Sequence, residues 1–263
     1  MHLKSGETEM NPSITAEGER SISVIIPTCD RPPEYLRQAI SSAASQSLRP
    51  TEIIVVDNGV NEVPPMELPN GVRVYRTAPR IGPSKARNIG VELSTGTHLA
   101  FLDDDDWWDK DFLLEAVKAM GEGSTRCVYG RIRQSKNGEI SDQRNLTPET
   151  ATLRDLLERN PGTSVSNLVI EMTLFDQIGR FDEKLLISED RALAIEALLI
   201  GEKIGIARNA ISFARHHDGD HLKTYNGRKI AFIMKYRKLM PASLLLRHLL
   251  KFGLWIHIRP RRT

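Results

Sequence analysis

Short apolar runs alternate with amphipathic segments along the first hundred residues of the chain. The runs are four or five residues long, and three of them are followed directly by Pro or Asp, which is typical of strands buried on both faces of a sheet. We therefore predict strands at 22–26, 52–56, 71–75 and 99–102. Apolar residues recur at helical spacing in the segments between them, which predicts helices from 33 to about 47 and over 84–93.

The second half of the chain continues this alternation less regularly. The patterns predict strands at 127–132, 165–170, 204–206 and 210–214. They predict helices at 147–160, 174–178 and 189–199. Strands that alternate with helices are typical of an α/β fold with a mixed, mostly parallel sheet that helices cover on both faces. Residues 1–20 show no periodicity, and we expect them to form a flexible leader.

The amino-acid composition is that of a globular protein and excludes several other classes. The chain has 263 residues, of which 40% are hydrophobic and 27% are charged, as in an ordinary soluble globular protein and unlike a disordered or collagen-like chain. Cys29 and Cys127 are its two cysteines, too few for a disulfide framework, which favours a reducing compartment. No apolar run approaches the roughly 20 residues that cross a bilayer. We therefore expect a cytoplasmic protein.

The charge is distributed unevenly along the chain. Residues 221–263 contain 11 Lys or Arg and no Asp or Glu, which leaves 25 basic and 34 acidic residues in 1–220. Leucines and Trp255 alternate with the basic residues of 221–263, which predicts a basic amphipathic helical tail. Such a tail would lie peripherally on the anionic inner face of a membrane, or pack against the rest of the chain or against a second copy in a homodimer. Nucleic acid is not an expected partner, because the tail carries no reader motif and the body is acidic.

Four consecutive carboxylates, Asp103 to Asp106, follow the strand predicted at 99–102. Like charges repel by about 1 kcal/mol per pair at 4 Å even in water, so we expect a counter-charge here. A hard divalent cation, Mg²⁺ or Mn²⁺, prefers carboxylate and phosphate oxygens and would join such a cluster to a diphosphate. The structural alternative is an acidic turn that leads into a helix N-terminus.

Polar residues also follow two other predicted strands, at 28–31 and at 57–58. In doubly wound sheets, ligands bind beyond the carboxyl ends of the strands, at a switch in strand order. We therefore expect the three polar strand ends to share one crevice.

Three further clusters carry candidate chemistry. Lys85 and Arg87 stand near a predicted helix start, where cations and free N–H groups favour an anion. Glu189 and Asp190 stand at another helix start, which holds a carboxylate rigidly enough to take a proton from a hydroxyl group. Residues 215–221 contain three histidines, of which one is a candidate metal ligand, although the spacing does not fit a structural zinc site. Helix capping and solvated surface charge are the structural alternatives.

Five segments of the sequence, in this order, resemble the GT-A-type family 2 glycosyltransferases. They are Ser23-Val24-Ile25-Ile26-Pro27-Thr28, Val55-Val56-Asp57-Asn58-Gly59, Ala86-Arg87-Asn88-Ile89-Gly90, Phe101-Leu102-Asp103-Asp104-Asp105-Asp106, and Ile178-Gly179-Arg180-Phe181-Asp182-Glu183 with Ser188-Glu189-Asp190. The resemblance runs from about residue 21 to about residue 221. It implies a GT-A Rossmann-like nucleotide-binding domain over 21–220, with a donor-nucleotide half at 21–106 and an acceptor half at 107–220, followed by the helical tail at 221–263.

The resemblance also implies roles for single residues. Asp190 matches the catalytic base, and Glu189 would orient it or touch the acceptor. The implied metal ligands are Asp103, Asp105 and His217. The choice between His216 and His217 is open, because the sequence before them has no aromatic residue directly preceding Arg215. The residues implied to bind the nucleotide-sugar are Pro27, Thr28, Cys29, Arg31, Asp57, Arg87 and Asp104.

The implied activity is inverting, metal-dependent transfer of one sugar from a nucleotide-diphosphate donor to an acceptor hydroxyl, in glycan, glycolipid or metabolite biosynthesis. UDP is the expected donor nucleotide, with dTDP and GDP as alternatives, Mn²⁺ or Mg²⁺ is the expected cofactor, and lipid-linked hydroxyls are among the expected acceptors. The sequence has no Gln-x-x-Arg-Trp motif of processive synthases, which favours single-sugar transfer. The alternatives are a metal-dependent nucleotidyl- or phosphotransferase, disfavoured because no Gly-rich phosphate loop is present, and a non-catalytic sugar-nucleotide-binding module.

Overall fold

The computed structural model describes residues 20–257 apart from 65, 143–144, 148 and 217–220, and for 221–228 and 251–257 it describes the backbone alone. All but the last residue of the expected leader therefore lies outside the described residues. The strands are β1 (Ile22–Thr28), β2 (Glu52–Asp57), β3 (Val72–Arg76), β4 (His98–Phe101), β5 (Trp107–Trp108), β6 (Cys127–Lys136), β7 (Glu139–Asp142), β8 (Leu168–Glu171) and β9 (Gly205–Arg215). The helices are α1 (Pro33–Ala44), α2 (Pro83–Glu92), α3 (Phe112–Gly123), α4 (Leu153–Glu158), α5 (Met172–Gln177), α6 (Glu189–Leu199), α7 (His221–Tyr236) and α8 (Ala242–His257).

The nine strands within the described residues form one sheet, in the order β3-β2-β1-β4-β8-β6-β9-β5, with β7 paired to β6. β1 pairs in parallel with both β2 and β4, and β2 pairs in parallel with β3. β8 lies between β4 and β6 and is antiparallel to both. The mixed, mostly parallel sheet predicted from the sequence is confirmed.

The strand order reverses at β1. The chain runs outward from β1 to β2 and β3, and then returns to place β4 on the other side of β1. A crevice therefore opens beyond the carboxyl ends of β1, β2 and β4. The register aligns these ends, because Thr28 pairs with Asp57 and Ile25 pairs with Phe101.

Helices cover both faces of the parallel part of the sheet, which is why β1, β2 and β4 are buried along their whole length. α1 and α3 pack on one face, whereas α2, α5 and α6 pack on the other. α2 lies very close to β1, since a Cβ added at Gly90 would be 2.5 Å from Cγ2 of Ile25. The N-terminal end of α2, at Gly82 and Pro83, thereby borders the crevice.

One helix was not predicted from the sequence. The stretch after the acidic run forms β5 and then α3, whose buried residues recur at helical spacing. These residues are Phe112, Leu113, Ala116 and Met120. The apolar spacing of these residues is the sequence signal for this helix.

Three predicted boundaries are corrected by the structure. The helix predicted at 147–160 is only α4, because Thr152 caps its first turn by accepting a hydrogen bond from the backbone N of Asp155. The strand predicted at 165–170 begins as a 3-10 turn, Val165–Asn167, before β8. The two strands predicted at 204–206 and 210–214 are a single strand, β9, which pairs with β6 across an irregularity between Gly130 and Arg131.

The C-terminal segment forms the two helices α7 and α8, which agrees with the predicted helical tail. Phe232 and Tyr236 of α7, together with Met240, are buried in the same hydrophobic cluster as Leu193 of α6. α7 is therefore packed on the body, and the domain boundary expected at 220/221 stays a prediction. Within the described part of the chain, no helix combines the length and the hydropathy needed to span a bilayer.

Candidate active site

A cleft of about 590 Å³ lies beyond the carboxyl ends of β1, β2 and β4. Eight of the residues expected at the site line it, and these are Pro27, Thr28, Cys29, Arg31, Arg87, Asp103, Asp104 and Asp105. Asp57 does not line this cleft but borders a neighbouring cavity of about 210 Å³, which also contacts Thr28 and Arg31. The polar strand ends predicted to share a crevice are therefore brought together there.

The four consecutive carboxylates do not act as one cluster, because they turn toward different partners. Asp104 is tied to the end of β1: its Oδ2 accepts hydrogen bonds from Oγ1 of Thr28 at 2.7 Å and from the backbone N of Cys29 at 3.4 Å. Burial raises the pKa of Asp104 to about 6, although the Thr28 hydrogen bond and the charge of Arg31 oppose the rise.

Asp106 does not line the cleft. Its carboxylate bonds to residues behind it. It accepts a hydrogen bond from Oγ of Ser166 at 2.6 Å and another from the backbone N of Arg215 at 3.1 Å. Burial, with the nearby charges of Asp103 and Asp105, raises the pKa of Asp106 well above its ordinary value. Asp106 therefore joins β9 to the turn before β8 and lies outside the group of cleft carboxylates.

Asp103 and Asp105 are paired with arginines. Nη2 of Arg87 lies 2.5 Å from Oδ1 of Asp103, and Nη2 of Arg31 lies 2.8 Å from Oδ2 of Asp105. Arg31 also approaches Asp104, with Nε 3.4 Å from Oδ1. The counter-charge expected for the acidic run is thus supplied in this structure by two guanidinium groups.

Arg87 joins the cleft to the helix that carries the expected base. It is 3% exposed in α2, and its Nη1 lies 3.1 Å from Oε1 of Glu189 at the start of α6. Burial opposes the charge of Arg87, but Asp103 and Glu189 outweigh it and hold the pKa of Arg87 above its ordinary value. One buried cation therefore links two carboxylates from opposite halves of the chain.

Asp190, the next residue of α6, is buried and held by a loop. Its Oδ2 accepts hydrogen bonds from Oγ1 of Thr163 at 3.0 Å and from Nδ2 of Asn160 at 3.3 Å. Burial and the adjacent charge of Glu189 raise the pKa of Asp190 to about 6, while the hydrogen bonds from Thr163 and from the backbone N of Arg191 oppose the rise. A buried carboxylate that is ionised near neutral pH fits the requirements of a general base.

The loop that holds Asp190 has a defined shape. Oδ1 of Asn160 accepts hydrogen bonds from the backbone N of both Gly162 and Thr163, each at 2.8 Å. Gly162 has a φ of +132°, and a Cβ there would lie 2.4 Å from the backbone N of Leu146, so this position requires glycine. Asn160 and Thr163 were not identified from the sequence. The signal available was the Asn-Pro-Gly-Thr turn sequence at 160–163.

Arg80 is a further cleft residue that was not identified from the sequence. It lines the cleft beside Asn58, and its φ of +57° places it at a tight turn before α2. Its backbone N donates a hydrogen bond to the carbonyl O of Asn58 at 2.7 Å. Arg80 is therefore held against the polar end of β2, and it is the third arginine that lines the cleft, after Arg31 and Arg87.

Asp57 organises the loop after β2. Its carboxylate accepts hydrogen bonds from the backbone N of Gly59 at 2.9 Å and of Val63 at 3.1 Å, and it pairs with Arg76 of β3. Of the two candidate histidines, Nδ1 of His216 lies 2.8 Å from Nε2 of Gln134. His217 lies outside the described residues.

The sequence that builds this cleft is similar to that of a known protein family. The sequence profile described as "Glycosyl transferase family 2" matches residues 23–179, which is more than half of the chain. The chain belongs to glycosyl transferase family 2. It is therefore a glycosyltransferase enzyme, and the expected family is confirmed.

Two curated relatives are named for the biosynthesis of amylovoran and of succinoglycan. The chain is 26% identical over 226 residues to the amylovoran biosynthesis glycosyltransferase AmsB of Erwinia amylovora, covering 77% of this chain and 74% of AmsB. It is 26% identical over 209 residues to the succinoglycan biosynthesis protein ExoW of Rhizobium meliloti, covering 70% of this chain and 65% of ExoW.

Two solved structures of similar fold contain nucleotide ligands. Residues 1–349 of Staphylococcus aureus TarS in complex with UDP-GlcNAc match with a TM-score of 0.64 and 20% identity, over 87% of this chain and 71% of that one. GalNAc-T7 with UDP, GalNAc and Mn²⁺ matches with a TM-score of 0.62 and 21% identity, over 77% of this chain and 45% of that one. At these identities the likeness concerns the fold, and it confirms the GT-A architecture.

Proposed function

We propose that this glycosyltransferase moves one sugar from a nucleotide-diphosphate donor to an acceptor hydroxyl, with inversion at the anomeric carbon. The observation that carries the proposal is the bridge made by Arg87, which contacts Asp103 in the cleft and Glu189 beside Asp190. A buried base on α6 is thereby held next to a cleft lined by cations and carboxylates. This is the arrangement that base-assisted displacement of a diphosphate leaving group requires.

The donor would occupy the cleft at the strand ends. Arg87, Arg31 and Arg80 offer cationic partners for a diphosphate, and the N-terminal end of α2 lies at the cleft border. Base and ribose would be bound by the remaining residues expected there, which are Pro27, Thr28, Cys29, Asp57 and Asp104. UDP is the proposed nucleotide, ahead of dTDP and GDP, because both neighbouring structures described above contain it.

Mn²⁺ or Mg²⁺ is the proposed cofactor, and the cleft carboxylates suit such an ion. Among the residues that the structure describes, no three His, Cys, Asp or Glu side chains are grouped as a metal site. Asp103 and Asp105 do line the cleft, and Mg²⁺ is commonly held by one or two carboxylates together with substrate phosphates. These two residues would hold the ion, with His217 as the further ligand implied by the family resemblance. A bound ion would neutralise charge on the leaving diphosphate.

Asp190 is the proposed general base. It would take the proton of the acceptor hydroxyl, whose oxygen then forms the new bond to the anomeric carbon from the face opposite the departing nucleoside diphosphate. Thr163 and Asn160 hold the carboxylate from one side, and Glu189 on the same helix is fixed by Arg87. Base assistance of this kind contributes about 10²–10⁴-fold in rate.

The acceptor is proposed to be a hydroxyl of a growing glycan, a glycolipid or a metabolite, including one carried on a lipid. The names of AmsB and ExoW assign those relatives to amylovoran and succinoglycan biosynthesis, which supports the glycan class. We place this reaction in the cytoplasm, at the inner face of the membrane where the acceptor is lipid-linked.

The test of this proposal combines binding with turnover. UDP-, dTDP- and GDP-sugars are screened by thermal shift with and without Mn²⁺, and release of nucleoside diphosphate is measured with candidate acceptors. We expect one donor to stabilise the protein only with the metal, and Asp190→Asn to keep that shift while losing about 10²–10⁴-fold in turnover. Turnover by Asp190→Asn at the wild-type rate would refute the assignment of the base. The metal site would be refuted if the donor stabilised the protein equally with and without Mn²⁺, and if Asp105→Asn left that stabilisation unchanged.

A further inference from the structure

One side of α8 is fixed to the body of the protein. Leu244 is buried in the core cluster, and two polar contacts tie the helix to α4. Nη2 of Arg247 lies 2.7 Å from Oε1 of Glu158, and Nε2 of His248 lies 3.2 Å from the carbonyl O of Leu157. Because these contacts set the rotation of α8, the opposite side of the helix is held outward.

That opposite side is an exposed apolar row, defined as Ala242, Leu246, Leu249 and Leu250. The three leucines are 56%, 49% and 53% exposed, and Ala242 is exposed as well. Their spacing of four, three and one residues puts them on a single stripe of the helix. Contiguous exposed apolar patches, unlike single exposed apolar residues, mark places of interaction.

The exposed apolar row belongs to a segment of the sequence in which Lys and Arg are present and Asp and Glu are not. Residues 221–263 contain 11 Lys or Arg and no Asp or Glu. Arg237 and Lys238 are exposed just before α8, and three more arginines follow it in the sequence, at 259, 261 and 262. Two copies that met through this row would bring two such segments together and repel each other. An acidic lipid surface, in contrast, complements both the leucines and the cations.

We propose that the exposed apolar row docks the protein on a bilayer that contains anionic lipids. The leucine side chains would enter the boundary between headgroups and acyl chains, and the flanking basic residues would lie among the headgroups. The inference deepens the membrane location given in the proposed function. Its test involves no sugar transfer, so the two can fail separately.

The experiment is co-sedimentation of the full chain with phosphatidylcholine vesicles, with and without phosphatidylglycerol. We expect binding to the anionic vesicles alone, and we expect it to weaken as salt is raised. Leu249→Gln combined with Leu250→Gln should lower the partition coefficient about tenfold or more, and Leu246→Gln alone should lower it less. The matched control is Leu199→Gln with Ile200→Gln, two residues 44% and 45% exposed at the end of α6, which should leave binding unchanged.

Loss of binding in the α8 double variant with retention in the control supports the proposal. Three results would overturn it: no binding of the parent chain to anionic vesicles, equal binding to neutral ones, or an α8 double variant that binds as the parent does. A concentration-dependent dimer that the α8 variant abolishes, in place of vesicle binding, would also overturn it and would assign the row to a second copy.

Discussion

Thr163→Val is expected to raise the pKa of the proposed base, Asp190, and so to lower its ionised fraction near neutral pH. Valine has nearly the shape of threonine, so the change removes little volume. It removes the hydroxyl that lies 3.0 Å from Oδ2 of Asp190 and 3.1 Å from Oδ1 of Asn160. The carboxylate is faced by Glu189 and Arg191 from its own helix and by Asn160 from the loop. The hydroxyl of Tyr129, from β6, donates to the backbone carbonyl of Asp190.

The size of the effect follows from the lost hydrogen bond. A hydrogen bond to a charged group contributes about 1.5–3 kcal/mol, and one pKa unit corresponds to about 1.36 kcal/mol. Since Asn160 remains as a donor at 3.3 Å, we take the lower end and expect the pKa of Asp190, raised to about 6 in the parent, to rise further by about one unit. The ionised fraction would fall from about nine tenths to about one half at pH 7, and from about one half to about one tenth at pH 6.

The assay is the pH profile of kcat/KM, whose acid limb reports the pKa of the free enzyme's base. Thr163→Val should move that limb upward by about one unit and leave the rate above pH 9 nearly unchanged, whereas Thr163→Ser should restore the parent profile. A merely structural loss would lower the rate at every pH. An unmoved acid limb in Thr163→Val, together with an inactive Asp190→Asn, would refute the role of the loop and leave the base in place.

Three further predictions concern stability. Burial raises the pKa of Asp190 to about 6, above the ordinary value of an aspartate, so its ionisation costs stability as pH rises from about 4 to about 6. Asp190→Asn should therefore raise the melting temperature at pH 7.5 and give no gain at pH 4, and thermal melts at both pH values check this. Arg87→Ala leaves Asp103 and Glu189 without their shared partner and should cost about 3–5 kcal/mol in urea denaturation, and an unchanged midpoint would contradict the importance of the bridge. Gly162→Ala should cost more than the roughly 1–3 kcal/mol of a strained backbone conformation in the same assay, because its φ is +132° and its Cβ would also lie 2.4 Å from the backbone N of Leu146. Gly138→Ala, at φ +85° with open space around it, is the comparison without such a clash.

The parallel half of the fold could be predicted because its signals are local. Residues 22–26 and 52–56 are apolar throughout, and strands covered by helices on both faces need no alternation. The gathering of polar strand ends at one cleft also followed from the pattern, since a switch in strand order brings neighbouring carboxyl ends together. Asp103 and Asp105 therefore reached the cleft as predicted.

The remaining details depend on contacts between residues far apart in the sequence. Asp106 turns away from its neighbours because it bonds to Ser166, 60 positions later. Asp190 is held by a loop about 30 positions earlier, through Asn160 and Thr163. No local pattern encodes such pairings, because they arise only when β8 and α6 are packed beside the parallel strands.

The bridge made by Arg87 couples the cleft to the start of α6. Its guanidinium donates from Nη2 to Asp103 and from Nη1 to Glu189, so an anion that entered the cleft would be a third acceptor at one cation. Because the three acceptors would share one positive charge, the anion would weaken the attraction of Arg87 for Asp103 and Glu189. Anion binding in the cleft and the position of Glu189, next to the proposed base, would therefore be coupled through a single side chain.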